Sequence, residues 1–225
     1  MEERYAKEGM KTALGLLGQG QMALTKCLVL VDAGVNVRDV HAVLRAIRDH
    51  FQPAEDFLLL PGVPFDTLDF TSLTLNLGSK MVLDAMSHGA TQPPVAAQVA
   101  ESAIPSLDSR IVRTRVIEDA LLLVQVRGEG RPIVEMLVKR PDLQRLRMIA
   151  AVSEDVDLQD RESWMWGLFT RFDPARDVVF SEVALHGSWP VARGVLGIDA
   201  TFSQWFLLTE EDSPRRILTI SIEEL

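Results

Sequence analysis

The chain has 225 residues, of which 47% are hydrophobic and 24% charged, and this composition suits one or two ordinary globular domains. Its formal net charge of −9 at pH 7 argues against a surface that tracks nucleic-acid phosphates, because such a surface needs clustered Lys and Arg. The single cysteine, Cys27, cannot form an intrachain disulfide and suits a reducing compartment, so the expected location is the cytoplasm.

Neither a membrane span nor a secretion signal is predicted. No apolar stretch reaches the roughly twenty residues that cross a bilayer. The N-terminal MEERYAKEG is too polar for a signal peptide. We therefore expect neither a membrane nor a nucleic acid among the partners.

The first hundred residues predict the order helix, strand, helix, strand. Apolar residues recur at helical spacing over residues 8–17, and the continuous apolar run at 27–31 predicts a buried central strand. Asn36 is the predicted N-cap of a second helix, which reaches Phe51 before a proline ends it. A strand follows at residues 57–60. Strand, helical crossover and strand predict a βαβ unit, so we expect a parallel or mixed sheet flanked by helices.

The same order returns later in the chain. TQPPVAAQVAESAIPS, residues 91–106, holds three prolines and little periodicity, and it predicts a linker. Residues 110–126 predict a pair of strands, and Pro132 suits the first position of a helix. The elements that then follow are a strand at 148–152, a helix from the predicted N-cap Asp157 to Phe172, and a strand at 178–180.

An internal duplication explains this recurrence. FQPAEDFLLL from Phe51 and FDPARDVVFS from Phe172 share Phe, Pro, Ala and Asp, 121 positions apart. The same spacing pairs Asp39 with Asp160, and LDAM from Leu83 later matches IDAT after a short deletion. A repeat of about 100 residues is a domain rather than a solenoid unit.

The predicted fold class is α/β, with two tandem copies of a layered domain. The first copy covers residues 1–100 and the second, more diverged copy covers residues 107–225. The second copy begins with the strand-like ALLLVQV, which has no counterpart in the first. The first sheet is therefore expected to lack an edge strand, either because the chain was cut from a longer protein or because the terminal ILTISIEEL fills the gap. An open edge favours pairing with another chain, so we predict a homodimer.

A family resemblance lies in TKCLVLVDAGVNVRDVHAVLRAIRDHFQPAEDFLLLPGVPFDTLDF, followed by GSKMVLDAM. This run resembles the C-terminal domain of UbiD-type decarboxylases, the 3-octaprenyl-4-hydroxybenzoate carboxy-lyases. The second copy keeps TRFDPARD and GIDAT of the family pattern. LGLLGQGQMALTK is similar to the longer family members, including those of menaquinone synthesis.

The resemblance implies a large enzyme that binds prenylated FMN, a divalent metal and potassium. Such enzymes decarboxylate aromatic or unsaturated acids, and the type resembled here belongs to quinone biosynthesis. The resemblance also implies that the catalytic residues lie in a preceding N-terminal domain, so we assign no catalytic or metal-binding residue in this chain. By itself the chain is expected to bind no cofactor and to be inactive, and its partner is expected to be that N-terminal domain.

Gly78, Ser79 and Lys80 are the candidate cofactor-binding residues. A flexible ammonium beside a glycine-rich turn can reach a phosphate, and the N–H groups of the turn add donors. The resemblance likewise implies that Lys80 approaches the cofactor phosphate. The alternative is a plain turn with a solvated lysine. The second copy has RGV at the aligned positions, without the lysine, and is expected to have lost the role.

The other polar and aromatic candidates are assigned structural roles. The repeated aspartates lie at helix ends and turns, where carboxylates have ordinary local partners, and these are Asp39, Asp56, Asp160 and Asp177. The histidines lack the paired spacing of a metal site, and they are His41, His50, His88 and His186. A group of aromatic residues is expected in the core or an interface, and it consists of Trp164, Trp166, Phe169 and Phe172.

Two other functions stay open. A scaffold or regulatory protein could have kept the duplicated fold and bind a partner chain through its apolar edges. A small-molecule binder could hold a nucleotide in a crevice near Asn36 or Lys80. Binding of FMN or a nucleotide by the chain alone would favour the second of these.

Overall fold

The computed structural model describes residues 4–72, 74–88 and 100–202. Within these ranges no helix is both long and apolar enough to cross a bilayer. The elements of the first copy are α1 (Glu8–Leu17), β1 (Cys27–Val31), α2 (Val40–His50), α3 (Pro53–Asp56), β2 (Phe57–Pro64) and β3 (Leu77–Ala85), with a 3-10 helix at Gly20–Leu24.

The second copy has the larger set of strands. Its elements are β4 (Ile111–Ile117), β5 (Leu121–Val126), α4 (Arg131–Leu137), β6 (Met148–Ser153), α5 (Arg161–Phe169), α6 (Pro174–Asp177), β7 (Val178–His186) and β8 (Trp189–Ala200), with 3-10 helices at Glu101–Leu107 and Pro141–Leu143. The predicted strand pair at 110–126 and the helix that begins near Pro132 are confirmed.

Each copy contributes one mixed sheet. The first sheet has the order β1-β3-β2 and the second has the order β4-β5-β6-β8-β7. In the first sheet β1 runs parallel to β3, and β2 runs antiparallel to β3. In the second, β6 and β8 repeat the parallel pair and β7 repeats the antiparallel one. The expected α/β class, with two mixed sheets flanked by helices, is confirmed.

The repeat seen in the sequence is also a repeat of structure. The single-turn helices α3 and α6 begin at Pro53 and Pro174, which are 121 positions apart. The parallel strand pairs also share one register, since β1 places Cys27 opposite Met81 while β6 places Met148 opposite Leu196. Homologous positions can therefore be compared between the two copies.

The predicted βαβ crossover in the first copy is wrong. A βαβ unit would have β1 and β2 parallel, but β2 has the opposite direction to β1, and β3 lies between them. The reason is burial, because every residue of β3 from Ser79 onward is buried and this strand takes the centre of the sheet. The apolar run of β1, predicted to be central, lies at the edge of the described sheet.

The topology agrees with the expectation that the first sheet lacks a strand present in the second. In the second sheet β6 lies between β5 and β8. Among the described residues β1 has β3 on one side and no strand on the other. The segment suggested to fill that place, residues 217–225, lies outside the described residues.

Both predicted N-caps are displaced by three residues. Helix α2 begins after Asp39, whose carboxylate accepts the N–H of His41 at 3.0 Å, and α5 begins after Asp160, which accepts the N–H of Ser163 at 2.8 Å. Asn36 instead accepts the N–H of Arg38 at 3.1 Å, in a turn that precedes the helix. Such short polar side chains bond equally well to the backbone of a turn, so the helical pattern alone cannot locate the cap.

The two copies share a hydrophobic core. One cluster of buried residues draws on both sheets and on α2 and α5, and it includes Phe51, Trp164 and Phe172. On the outer faces α1 packs against the first sheet and α4 against the second. The layers therefore run from α1 through both sheets to α4, with α2 and α5 inside. The proposed division into domains at residues 1–100 and 107–225 stays a prediction.

Candidate functional site

Gly78, Ser79 and Lys80 lie in a strand, so the expected glycine-rich turn is wrong. These residues belong to β3 and pair with β2, where Val63 lies opposite Gly78 and Leu60 opposite Lys80. A Cβ atom on Gly78 would come within 2.9 Å of the Phe65 ring, so the glycine allows that ring to pack against the strand. The backbone at this point therefore forms part of a sheet and not an anion-binding turn.

The ammonium group of Lys80 is buried. The residue is 2% exposed, and its Nζ donates to the backbone carbonyl of Ala23. Burial lowers the pKa of this lysine below its ordinary value. The structural counterpart in the second copy is Val195, which is also fully buried but apolar. The alternative of a solvated lysine is therefore wrong.

Ser79 joins the two copies. Its Oγ donates to Asp173 Oδ1 at 2.7 Å, and its N–H donates to Asp173 Oδ2 at 3.1 Å. The same Oγ accepts the N–H of Ala175 at 2.8 Å. Asp173 is the N-cap of α6, and its counterpart in the first copy, Gln52, makes no side-chain cap. The polar atoms of Ser79 are thus used by an internal contact.

Two further cations near this contact have anionic partners. Lys26 Nζ lies 2.7 Å from Asp69 Oδ2 and also donates to the carbonyl of Phe172 at 2.9 Å. Arg176 donates to Asp177 at 2.7 Å and to the carbonyl of Thr71 at 2.7 Å. Lys80 differs from both, because among the described residues it makes a hydrogen bond to a carbonyl and no ion pair with a carboxylate.

The repeated aspartates make the local bonds expected of structural residues. Asp39 and Asp160 cap α2 and α5. Asp56 accepts the N–H of Gln52 at 2.8 Å, and Asp177 accepts the N–H of Asp173 at 2.7 Å. Each of these bonds lies within a few residues, so the duplicated carboxylates stabilise duplicated turns.

A charged cluster around Asp84 was not predicted. The side-chain ligand atoms of Asp56, Asp84 and His88 lie within 4.8 Å of one another. Lys7 reaches between them, since its Nζ donates to Asp56 and lies 3.3 Å from Asp84 Oδ2. His88 Nε2 lies 3.1 Å from the same Asp84 oxygen. The repeated LDAM motif singled out Asp84, but nothing local to Lys7 or His88 indicated that they would meet it.

The lysine offsets part of the negative charge of this cluster. Burial alone would lower the pKa of Lys7, but its hydrogen bond to Asp56 and the charge of Asp84 outweigh burial and raise that pKa. In the second copy Asp199 occupies the place of Asp84 and accepts bonds from the N–H and Oγ1 of Thr201 at 3.0 and 2.7 Å. Burial raises the pKa of Asp199. The donor set of the first copy would suit a divalent cation only if the ammonium left.

The aromatic residues of the second copy divide between core and surface. Trp164 and Phe172 are buried in the shared core, and Phe169 packs against it, as expected. Trp166 is 70% exposed and lies outside the core, so of the two expected places only an interface stays a prediction for it. The helical spacing places Trp166 on the opposite side of α5 from Trp164.

Comparison with known proteins places this geometry in context. The family model described as the 3-octaprenyl-4-hydroxybenzoate carboxy-lyase C-terminal domain matches residues 1–85 and 117–199. An uncharacterized protein of Chlamydia caviae is 30% identical over 193 residues, which are 83% of this chain and 31% of that protein. A protein of Chlamydia pneumoniae that is named as one of the subunits of 4-hydroxybenzoate decarboxylase is 28% identical over 194 residues, with the same two shares. This chain therefore spans about a third of the length of these relatives.

Solved structures with a similar chain include two enzymes. The UbiD-class enzyme HmfF from Pelotomaculum thermopropionicum, solved in complex with FMN, aligns with a TM-score of 0.34 at 14% identity over 55% of this chain and 30% of that one. The vanillic acid decarboxylase of Sedimentibacter hydroxybenzoicus aligns with a TM-score of 0.38 at 16% identity over 74% of this chain and 41% of that one.

Proposed function

Because the chain belongs to the family of 3-octaprenyl-4-hydroxybenzoate carboxy-lyase C-terminal domains, we propose that it is the C-terminal module of a prenylated-FMN-dependent decarboxylase. The name of the Chlamydia pneumoniae relative supports this assignment. Its substrate would be an aromatic or unsaturated acid of quinone biosynthesis. The module would support the active site of an N-terminal catalytic part and take part in oligomerisation.

The buried ammonium of Lys80 is the observation that carries the cofactor-binding part of this proposal. A charge in a protein interior is unfavourable unless a partner of opposite charge accompanies it. Lys80 is 2% exposed and contacts a carbonyl, with no carboxylate paired to it among the described residues. A phosphate oxygen would supply the missing negative charge, and this fits the phosphate group of a flavin nucleotide.

Within the assembled enzyme the three candidate residues of β3 would have different roles. Prenylated FMN, when bound, would supply the decarboxylation chemistry. Lys80 would donate a charge-assisted hydrogen bond to its phosphate. Ser79 would hold β3 against Asp173, and Gly78 would admit the Phe65 ring, so both would position the lysine. We assign no metal ligand to this chain, because the ammonium of Lys7 already contacts both Asp56 and Asp84.

Replacing Lys80 with methionine is expected to stabilise the chain by about 1–2 kcal/mol, because an apolar side chain of similar length removes a buried unpaired charge. The sign depends on pH. The pKa of Lys80 is lowered in the folded state from 10.5, so the wild-type chain gains stability as pH rises from that folded pKa toward 10.5. The advantage of the variant should shrink over the same interval. Denaturant unfolding at neutral and at alkaline pH measures both effects.

The flavin-binding role of Lys80 is tested in an enzyme that includes the N-terminal part. The Lys80→Met substitution is expected to weaken flavin binding about tenfold, the loss typical of one charge-assisted hydrogen bond. Lys139→Met, at an exposed position, is the matched control and should leave flavin occupancy unchanged. Flavin absorbance after gel filtration gives the occupancy. Undiminished flavin binding by the Lys80 variant would contradict the proposed role. A loss of stability in the same variant would contradict the buried unpaired charge on which that role depends.

The isolated chain is expected to form a homodimer and to lack decarboxylase activity. The edge of β1 has no neighbouring strand among the described residues, and open edges favour pairing with a second chain. Light scattering should give twice the chain mass at micromolar concentration. A monomer whose mass does not change with concentration would contradict the dimer. Turnover of 4-hydroxybenzoate by the isolated chain with prenylated FMN would contradict the proposal that the catalytic residues lie in a separate N-terminal part.

A further inference from the structure

A cavity of about 450 Å³ lies between the two copies. Its walls are the facing surfaces of the two sheets and the sides of α2 and α5. The volume falls in the range of about 300–1,000 Å³ that small-molecule sites occupy.

The lining of the cavity follows the internal repeat. Positions 121 residues apart face it from opposite sides, and they are Val43 and Trp164, Ile47 and Leu168, and Cys27 and Met148. All six side chains are apolar or weakly polar. Burial raises the pKa of the Cys27 thiol to about 12, against a smaller opposing effect of Lys26, so this thiol stays neutral at physiological pH. An apolar ligand body would match these surroundings.

Charged side chains line one part of the same cavity. Arg38, Arg161 and Glu162 are exposed, so they mark where the cavity opens to solvent. Arg161 and Glu162 are 4.0 Å apart, and their side chains are 60% and 87% exposed, which makes a weak surface ion pair. Arg38 has no carboxylate in an ion pair with it among the described residues. The opening therefore carries an excess of one positive charge.

We propose that this cavity is a binding site for a hydrocarbon carboxylate, with its apolar body between α2 and α5 and its carboxylate beside Arg38 and Arg161. The guanidinium fork suits a carboxylate, since two N–H groups can donate to its two oxygens. This site is separate from Lys80 and does not depend on the proposed flavin role. Failure of either proposal leaves the other intact.

Dodecanoate is a suitable probe, with dodecanol and dodecylamine as ligands of equal chain length but different charge. Calorimetric titration of the full chain, below the concentrations at which these compounds aggregate, should detect dodecanoate binding. Dodecanol should bind about tenfold more weakly, because it lacks the charge that the arginines recognise. Dodecylamine should bind more weakly still. Equal affinity for all three, or no binding of dodecanoate, would overturn the proposal.

Three variants test whether dodecanoate binds in this cavity. Val43→Trp copies the residue at the equivalent position of the second copy and should fill the space and abolish dodecanoate binding. Val183→Trp, on the exposed part of β7, is the matched control and should bind normally. Arg38→Gln copies its counterpart Gln159 and should weaken dodecanoate about tenfold but leave dodecanol unchanged. Unchanged dodecanoate binding by Val43→Trp would contradict the site. An equal effect of Arg38→Gln on dodecanoate and dodecanol would also contradict it, so the test holds even if one of these variants fails to fold.

Discussion

Replacing Phe51 or Phe172 with alanine is expected to lower the free energy of unfolding by about 3–5 kcal/mol in each case. The two residues occupy equivalent positions in the repeat, and both are 0% exposed within the shared core. Removal of either ring takes apolar surface out of contact and leaves a cavity that neighbouring side chains fill only in part. Because one core serves both copies, each substitution should destabilise the whole described fold.

Tryptophan fluorescence distinguishes a shared core from two independent ones. All four tryptophans lie in the second copy, at positions 164, 166, 189 and 205. The Phe51→Ala substitution lies in the first copy, yet it should move the fluorescence transition in denaturant as far as the circular dichroism transition. Phe70→Ala is the matched control, since Phe70 is 73% exposed and the change should cost less than about 0.5 kcal/mol. A fluorescence midpoint that Phe51→Ala leaves in place would show that the copies unfold separately.

Replacing Asp173 with alanine is expected to destabilise the chain by about 3 kcal/mol, because buried donors would lose a charged acceptor. The carboxylate accepts the Ser79 hydroxyl at 2.7 Å and the N–H groups of Ser79 and Ala175 at 3.1 and 3.0 Å. It thereby caps α6 and binds the first copy to the second. Equilibrium unfolding in urea measures the loss.

Asp160 supplies the control for the cap alone. It also caps a helix, but among the described residues its side chain has no hydrogen bond to the first copy, so Asp160→Ala should cost about 1 kcal/mol. In a double-mutant cycle, Ser79→Ala and Asp173→Ala should show a coupling free energy of about 1 kcal/mol or more. Equal effects of the two aspartate substitutions, together with no coupling, would mean that the contact between copies adds nothing to stability.

Local pattern was enough to predict most elements of the fold. The helical spacing at residues 8–17 and the apolar runs at 27–31 and 148–152 correspond to α1, β1 and β6. A spacing of 121 residues without a gap predicted that the copies would share elements and turns, and the paired helices α3 and α6 confirm it. These features depend on residues that are close together in the chain, so their patterns can be recognised from the sequence alone.

Partner choice between distant segments could not be predicted in the same way. Ser79 and Asp173 are 94 positions apart, and Lys7 and Asp84 are 77 positions apart. Nothing in the residues around Lys80 distinguished an exposed turn from a central strand, so the burial of its ammonium followed only from where β3 lies. The order of the strands depends on which apolar surfaces cover one another, and periodicity describes each surface separately.

The sequence by itself therefore determined the duplication, the family and the type of most elements, because these depend on composition, motifs and local spacing. The tertiary structure decided that β3 separates β1 from β2, that Lys80 is buried without an anionic partner among the described residues, and that a cavity lies between α2 and α5. Each of these arises where surfaces from remote parts of the chain meet, and their fit is a property of the packed fold.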